Sequence, residues 1–140
     1  VELLVAAAAR GLLASAHDVS DGGLAVALCE SAFAAAEPVG FDADLASYAP
    51  GVDAAGLLFG EDQGRAVVSA APGDVPALLA LAREHGVPAA VVGAVGAPGA
   101  PVRIRSSAGV VERPVERLRE VYERAIPRRM EVPAAMAAGA

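Results

Sequence analysis

The sequence predicts an α+β domain with a mixed β-sheet. Three observations carry this. Apolar runs with helical spacing alternate with short runs of period-two or β-branched character; Val102 to Arg105 and Gly109 to Glu112 are separated only by Ser106, Ser107 and Ala108, a hairpin signature; and glycine or proline repeatedly marks the changes of pattern. At 140 residues and 55% hydrophobic content, the chain suits one domain with a real core.

Val1 to Leu13 reads as a helix, with Leu4, Ala7 or Ala8, and Leu12 near helical spacing. Ala14 to His17 reads as the end of a strand, Asp18 to Gly23 as a tight turn, and Leu24 to Ala36 as an apolar helix. Val39 to Leu45 is a strand with Phe41 and Ala43 on one face and Asp42 and Asp44 on the other. Ala46 to Gly51 is a loop, Val52 to Phe59 a short helix, and Arg65 to Ala70 a core strand. Gly73 to Gly86 forms a helix: Val75, Leu78, Leu79 and Ala82 share a face, and Gly86 suits the position just past its end, where His85 can meet the last carbonyls. Ala89 to Val95 precedes the hairpin as a further strand. Pro114 then starts a final helix that buries Val115, Leu118, Val121, Tyr122 and Ala125 and exposes a Glu120–Arg124 pair. That helix is expected to break beyond Pro127, and the alanine-rich end, Pro133 to Ala140, to fray.

Composition excludes several classes of function. A net charge of −6, with arginine supplying all 11 basic residues, disfavours nonspecific nucleic-acid or anionic-membrane binding, which need positive surface. Val87 to Val102 lacks charge, but its prolines and glycines break any membrane span, and the start carries no basic n-region, so the cytoplasm is the expected compartment. Cys29, the single cysteine, reads as a buried small hydrophobe in its apolar helix. Opening on Val1 inside a helical pattern, the chain is expected to be part of something longer.

Polar chemistry is concentrated in His17-Asp18-Val19-Ser20-Asp21-Gly22-Gly23, immediately before the apolar helix. Gly22 and Gly23 permit φ > 0 and close backbone approach, and the helix start supplies partial positive charge. Asp18 and Asp21 would repel a bare phosphate, so an anion here would arrive with Mg²⁺, which takes carboxylate and phosphate oxygens together. The alternative is structural: Ser20 or Asp21 as the helix N-cap, and Asp-Gly as an ordinary turn dipeptide. A Walker A lysine and the G-x-G-x-x-G spacing are both lacking, which argues against a P-loop enzyme. Gln63 and Arg65 likewise admit structural roles at a strand entrance.

Ala16 to Leu28 with Glu30 one turn on, Leu57-Leu58-Phe59-Gly60-Glu61-Asp62-Gln63-Gly64-Arg65, and the tail from Val115 to Pro127 resemble the C-terminal domain of phosphoribosylformylglycinamidine synthase. The likeness runs from Leu3 to Met130, with residues 131–140 as a flexible tail. Asp62 departs from it, standing where serine is usual. The resemblance implies the aminoimidazole ribonucleotide synthetase C-terminal-domain fold, a mixed β-sheet with helices packed on its faces, and a share in an ATP-dependent C–N ligase of purine biosynthesis. It implies Mg²⁺ and ATP as cofactors, Asp18 as the metal ligand, Ser20, Asp21, Gly22 and Gly23 as the ATP or phosphate contacts, and His17, Glu61, Gln63 and Arg65 as substrate contacts. It further implies a ribonucleotide substrate, and as partners the rest of a longer chain, a glutamine amidotransferase domain or subunit and, in a short-form enzyme, a small accessory subunit. A sister enzyme, of selenophosphate synthetase or thiamine-monophosphate kinase type, and a non-catalytic scaffold module are the alternatives. Glu61-Asp62-Gln63-Gly64-Arg65 argues against the sister enzymes.

Overall fold

A computed structural model describes residues 1–46, 48–49 and 51–130. In chain order the elements are α1 (Glu2–Ala9), β1 (Ser15–Asp18), α2 (Gly23–Phe33), β2 (Val39–Asp44), α3 (Ala54–Phe59), β3 (Ala66–Ser69), α4 (Val75–Glu84), β4 (Gly93–Pro98), β5 (Pro101–Ser106), β6 (Gly109–Pro114), α5 (Val115–Glu123) and α6 (Ala125–Met130). The expected α+β class and mixed sheet are present, but the strands divide between two sheets. A four-stranded sheet runs β4-β2-β5-β6, with β2 antiparallel to β4 and parallel to β5; β1 and β3 form an antiparallel pair of their own.

Alternation along β2 and β5 builds the main core. Phe41 and Ala43 on β2, with Val102 and Ile104 on β5, turn inward and are buried with Leu24, Ala27, Leu28 and Ala32 of α2, Leu57 of α3 and Val115 of α5. The opposite face carries ion pairs: Arg105 to Asp42 at 2.7 Å and Asp44 at 3.3 Å, and Arg103 to Glu112 at 2.6 Å. Leu45, just past β2, is fully buried. The two-residue link from β4 to β5 crosses the start of β2, where Gly99 N–H bonds Pro38 O at 3.0 Å. Gly40 permits this crossing, since a Cβ there would lie 2.3 Å from Ala100 O.

Several expectations need correction. β3 is only at the margin of the core: among the described residues it pairs only with β1, and Val67, packed against the core, stays partly exposed, because both strands are four residues long and lie outside the larger sheet. β4 begins at Gly93 rather than Ala89, where pairing with Ala43 of β2 starts. On α4 the buried residues are Leu81 and Ala82, so the buried face is rotated towards Leu81; α4 packs on α1, which buries Ala7. Gly86 does end that helix, at φ +66°, with Val87 N–H reaching Ala82 O and its own N–H reaching Arg83 O.

On α5 only Val115 is buried, and Val121 and Tyr122 are half-exposed, since one α2 face cannot cover three turns. Glu120 pairs with Arg117 at 2.5 Å, and Arg119 with Glu123 at 2.6 Å. Pro127 does not stop the chain's helical course: it sits in the first turn of α6, where a missing N–H costs little. The fraying expected from Pro133 to Ala140 lies outside the described residues.

Candidate functional site

The turn between β1 and α2 is built on two consecutive left-handed glycines, Gly22 at φ +81° and Gly23 at φ +73°. It is pinned at both ends. Val19 is buried and donates its N–H to Arg65 O at 3.0 Å, while Gly23 N–H closes onto Ser20 O at 3.1 Å. Gly23 lies against the end of α3, where a Cβ would stand 2.6 Å from the Phe59 carbonyl carbon and 2.9 Å from Gly60 O. Gly22 is the N-cap of α2, and no side chain caps the helix there. The capping role considered for Ser20 or Asp21 is therefore absent.

Glu61 joins the two polar segments. Its Oε1 accepts the Gly22 N–H at 2.8 Å, across 39 residues of sequence. A carboxylate at this position also complements the positive end of α2. The Glu61 loop is in turn held by Arg65, which donates to Asp62 O at 3.3 Å and to Gly60 O and faces the Asp62 carboxylate at 3.8 Å. Asp62 uses its main-chain carbonyl and a carboxylate here, so no hydroxyl at this position is required to hold the loop.

His17 lies on β1 opposite Val67 of β3. Its Nδ1 donates to Asp18 O at 2.7 Å, and its Nε2 stands 3.6 Å from Glu30 Oε2 on α2. Glu30 Oε1 accepts the Tyr122 hydroxyl from α5. That bond, with the negative charge of Glu30, raises the Tyr122 phenol above its ordinary range. The Cys29 thiol, on α2 beside Glu30, is pushed up to about 11 by burial and then by Glu30, which makes it a poor nucleophile near neutral pH.

Of the nine residues singled out in the sequence, the structure brings His17, Asp18, Ser20, Asp21, Gly22, Gly23 and Glu61 to one turn. Arg65 is committed to the Glu61 loop, and Gln63 is exposed on it. The amides of Gly22 and Gly23 already have acceptors, so the groups presented outward are the side chains of Asp18, Ser20 and Asp21, all on exposed residues. Asp18 has a carboxylate 79% exposed. Among the described residues no cluster of three or more His, Cys, Asp or Glu is placed to hold a metal ion. This donor set fits Mg²⁺ shared with phosphates, which needs only one or two carboxylates, and does not fit an all-protein cage. Sequence reasoning missed Tyr122, because a contact between α5 and α2 leaves no local signal.

Residues 1–104 match the family model described as AIR synthase related protein, C-terminal domain. Among curated proteins, the phosphoribosylformylglycinamidine synthase subunit PurL of Thermobifida fusca is 43% identical over 125 residues, covering 89% of this chain and 15% of the relative. The PurL subunit of Chlorobaculum tepidum is 40% identical over 127 residues, with 89% and 17% covered. The chain thus spans about one sixth of the length of these relatives. Among solved structures, Thermotoga maritima PurL complexed with FGAR superposes with a TM-score of 0.72 at 25% identity, covering 84% of this chain and 20% of that one. The same protein complexed with ATP gives 0.70 at 27% identity, covering 82% and 20%.

Proposed function

The chain belongs to the family of AIR synthase related C-terminal domains, and from that premise we propose that it is one domain of a phosphoribosylformylglycinamidine synthase. The reaction is that of an ATP-dependent ligase. Formylglycinamide ribonucleotide is activated at its amide oxygen by the γ-phosphoryl group of ATP, releasing ADP, and ammonia then displaces phosphate to give the amidine. Relatives carrying that name, and likeness to a PurL bound to FGAR or to ATP, support the reading. The observation that carries it is the Gly22–Glu61 bond, which joins two of the segments on which the resemblance rests.

In this proposal Asp18 is the Mg²⁺ ligand and Ser20 and Asp21 meet the nucleotide phosphates, with Gly22 and Gly23 setting the shape of the turn. Bound Mg²⁺ would neutralise phosphate charge and offset the repulsion from Asp18 and Asp21. His17, Glu61, Gln63 and Arg65 form the substrate-side wall, Glu61 and Arg65 chiefly by holding the 60–65 loop against the turn. Ammonia comes from a glutamine amidotransferase domain or subunit, with a small accessory subunit in a short-form enzyme, and the assembly works in the cytoplasm. No helix among the described residues is long and apolar enough to cross a membrane.

The chain by itself is expected to be inactive. The test measures ADP release with formylglycinamide ribonucleotide, Mg-ATP and ammonia, comparing the 140-residue chain with the whole protein of which it forms part. Substrate-dependent turnover in the whole protein alone is the expected result. A folded whole protein that releases no ADP would overturn the assignment and favour a sister enzyme or a scaffold.

A further inference from the structure

We infer that the open edge of β4 is an interaction surface: in the whole protein an extended segment of the same polypeptide, outside these 140 residues, pairs with it as a fifth strand of the larger sheet. The inference goes beyond the proposed function and rests on it only for the existence of that longer polypeptide.

Residues 87–102 contain only alanine, valine, glycine and proline. Prolines and glycines exclude a membrane span there, and the proposed site uses none of the run. It forms the margin of the sheet instead. All six residues of β4 are exposed, with Val95 61% exposed, and Val91 just before the strand is 63% exposed. Among the described residues β4 has one neighbour, β2, so its other side is open. Asp44 N–H bonds Val92 O at 2.7 Å, and bonded pairs recur at every second residue of an antiparallel register that matches Asp42 with Ala94 and Phe41 with Val95. Ala94 therefore turns its N–H and C=O to β2, and Val95 turns its own to the open side.

The two edges of the sheet differ. On β6 the exposed valines are followed by Glu112 and Arg113, and Glu112 holds Arg103 at 2.6 Å. Charges of this kind keep a strand edge in water. β4 carries none, and an uncharged edge with unpaired backbone groups is a template for one more strand, here as far as Pro98, which has no N–H to offer. Val95 also shares the inward face of the sheet with Phe41, its partner on β2, yet lies outside the core cluster. A strand laid on this edge would satisfy the Val95 N–H and C=O, and an apolar side chain beside Val95 would extend the core sideways. The chemistry of the occupant follows: extended, apolar on the face shared with Phe41 and uncharged opposite Val95. The longer polypeptide has the length to supply it, since the matched region is only 15–17% of the curated relatives.

The test is amide hydrogen exchange of the whole protein, resolved by residue. Val95 N–H should exchange about 100-fold or more slower than in an unstructured peptide, at every protein concentration. Ala94 N–H, turned to β2, is slow in either case and is the internal control. Exchange of Val95 near the peptide rate would overturn the inference; protection lost on dilution would mean that a second copy pairs there and would overturn the choice of occupant. The second readout is the melting temperature of the whole protein. Val95→Lys should lower it, because the added strand would bury the ammonium, whereas Val110→Lys, at a position 60% exposed on β6, should leave it unchanged. Equal shifts in the two variants would overturn the fifth strand. ADP release is scored separately: a whole protein that protects Val95 but releases no ADP refutes the synthase reading and leaves the strand pairing in place.

Discussion

Replacing Gly23 by alanine separates backbone strain from close packing at the heart of the site. Two costs arise. A non-glycine residue at φ +73° costs about 1–2 kcal/mol, and the new Cβ, 2.6 Å from the Phe59 carbonyl carbon and 2.7 Å from its Cα, meets backbone that cannot rotate away. Overpacking of this kind costs about 1–3 kcal/mol. Gly11→Ala is the control, because Gly11 has φ +68° but, among the described residues, nothing within 4 Å of its Cβ position. Both variants stiffen the unfolded chain equally, so that contribution cancels in the comparison. The difference between them, about 1–3 kcal/mol, isolates the contact with α3. Urea denaturation followed by far-UV circular dichroism reads it directly. With a slope of about 1.5 kcal/mol per molar, Gly23→Ala should unfold about 0.7–2 M earlier in urea than Gly11→Ala. Equal midpoints would refute the claim that the turn is pressed onto the end of α3.

Glu61→Ala strips the Gly22 amide of its acceptor and should cost about 0.5–1.5 kcal/mol in the same denaturation assay, with Glu61→Gln retaining most of the stability; equal losses in the two variants would mean that charge, not the bond, matters. Leu45→Ala empties a fully buried site and should cost about 2–5 kcal/mol, so a wild-type midpoint would contradict its place in the core. Because burial raises the Cys29 pKa from 9.0 to about 11, the folded state holds its proton more tightly than the unfolded chain, so stability is full below pH 9 and declines between about pH 9 and 11. That decline, at most about 2–3 kcal/mol, should be absent from Cys29→Ala; parallel pH profiles of the two proteins would disprove it. Asp18→Asn in the whole protein should weaken Mg-nucleotide binding and leave the circular dichroism spectrum unchanged, and undiminished binding would remove Asp18 from the site.

What was legible in the sequence is what neighbours along the chain decide. The alternation of Phe41, Asp42, Ala43 and Asp44 gives β2 one buried and one charged face wherever its partners lie. Gly86 announces the end of α4 because a left-handed residue is needed within reach of the last carbonyls. The readings that failed depended on distant partners. Arg65 to Ala70 has the composition of a core strand, yet its only partner among the described residues is β1, and no property of Val67 or Val68 records that. Val121 and Tyr122 have helical spacing, but burial also requires a second surface, and α2 meets only part of α5.

The site itself shows why two short motifs, each weak alone, are informative together. Gly22 adopts a left-handed conformation and offers an N–H at the start of α2, and the acceptor for it comes from a residue 39 positions later. Neither half is useful without the other. A glycine turn with no carboxylate opposite would leave that amide to water, and a Glu61 loop with no turn to grip would rest on Arg65 alone. Gly23 sharpens the requirement, since the turn reaches Glu61 only by lying within contact distance of Phe59 and Gly60, where any side chain would intervene. The pairing of glycine turn and Glu61 segment is thus a consequence of one three-dimensional contact. What leaves no trace in either motif is the contact from behind: the Tyr122 hydroxyl of α5 bonds Glu30 of α2, and in the sequence Tyr122 is only another apolar position on a helix.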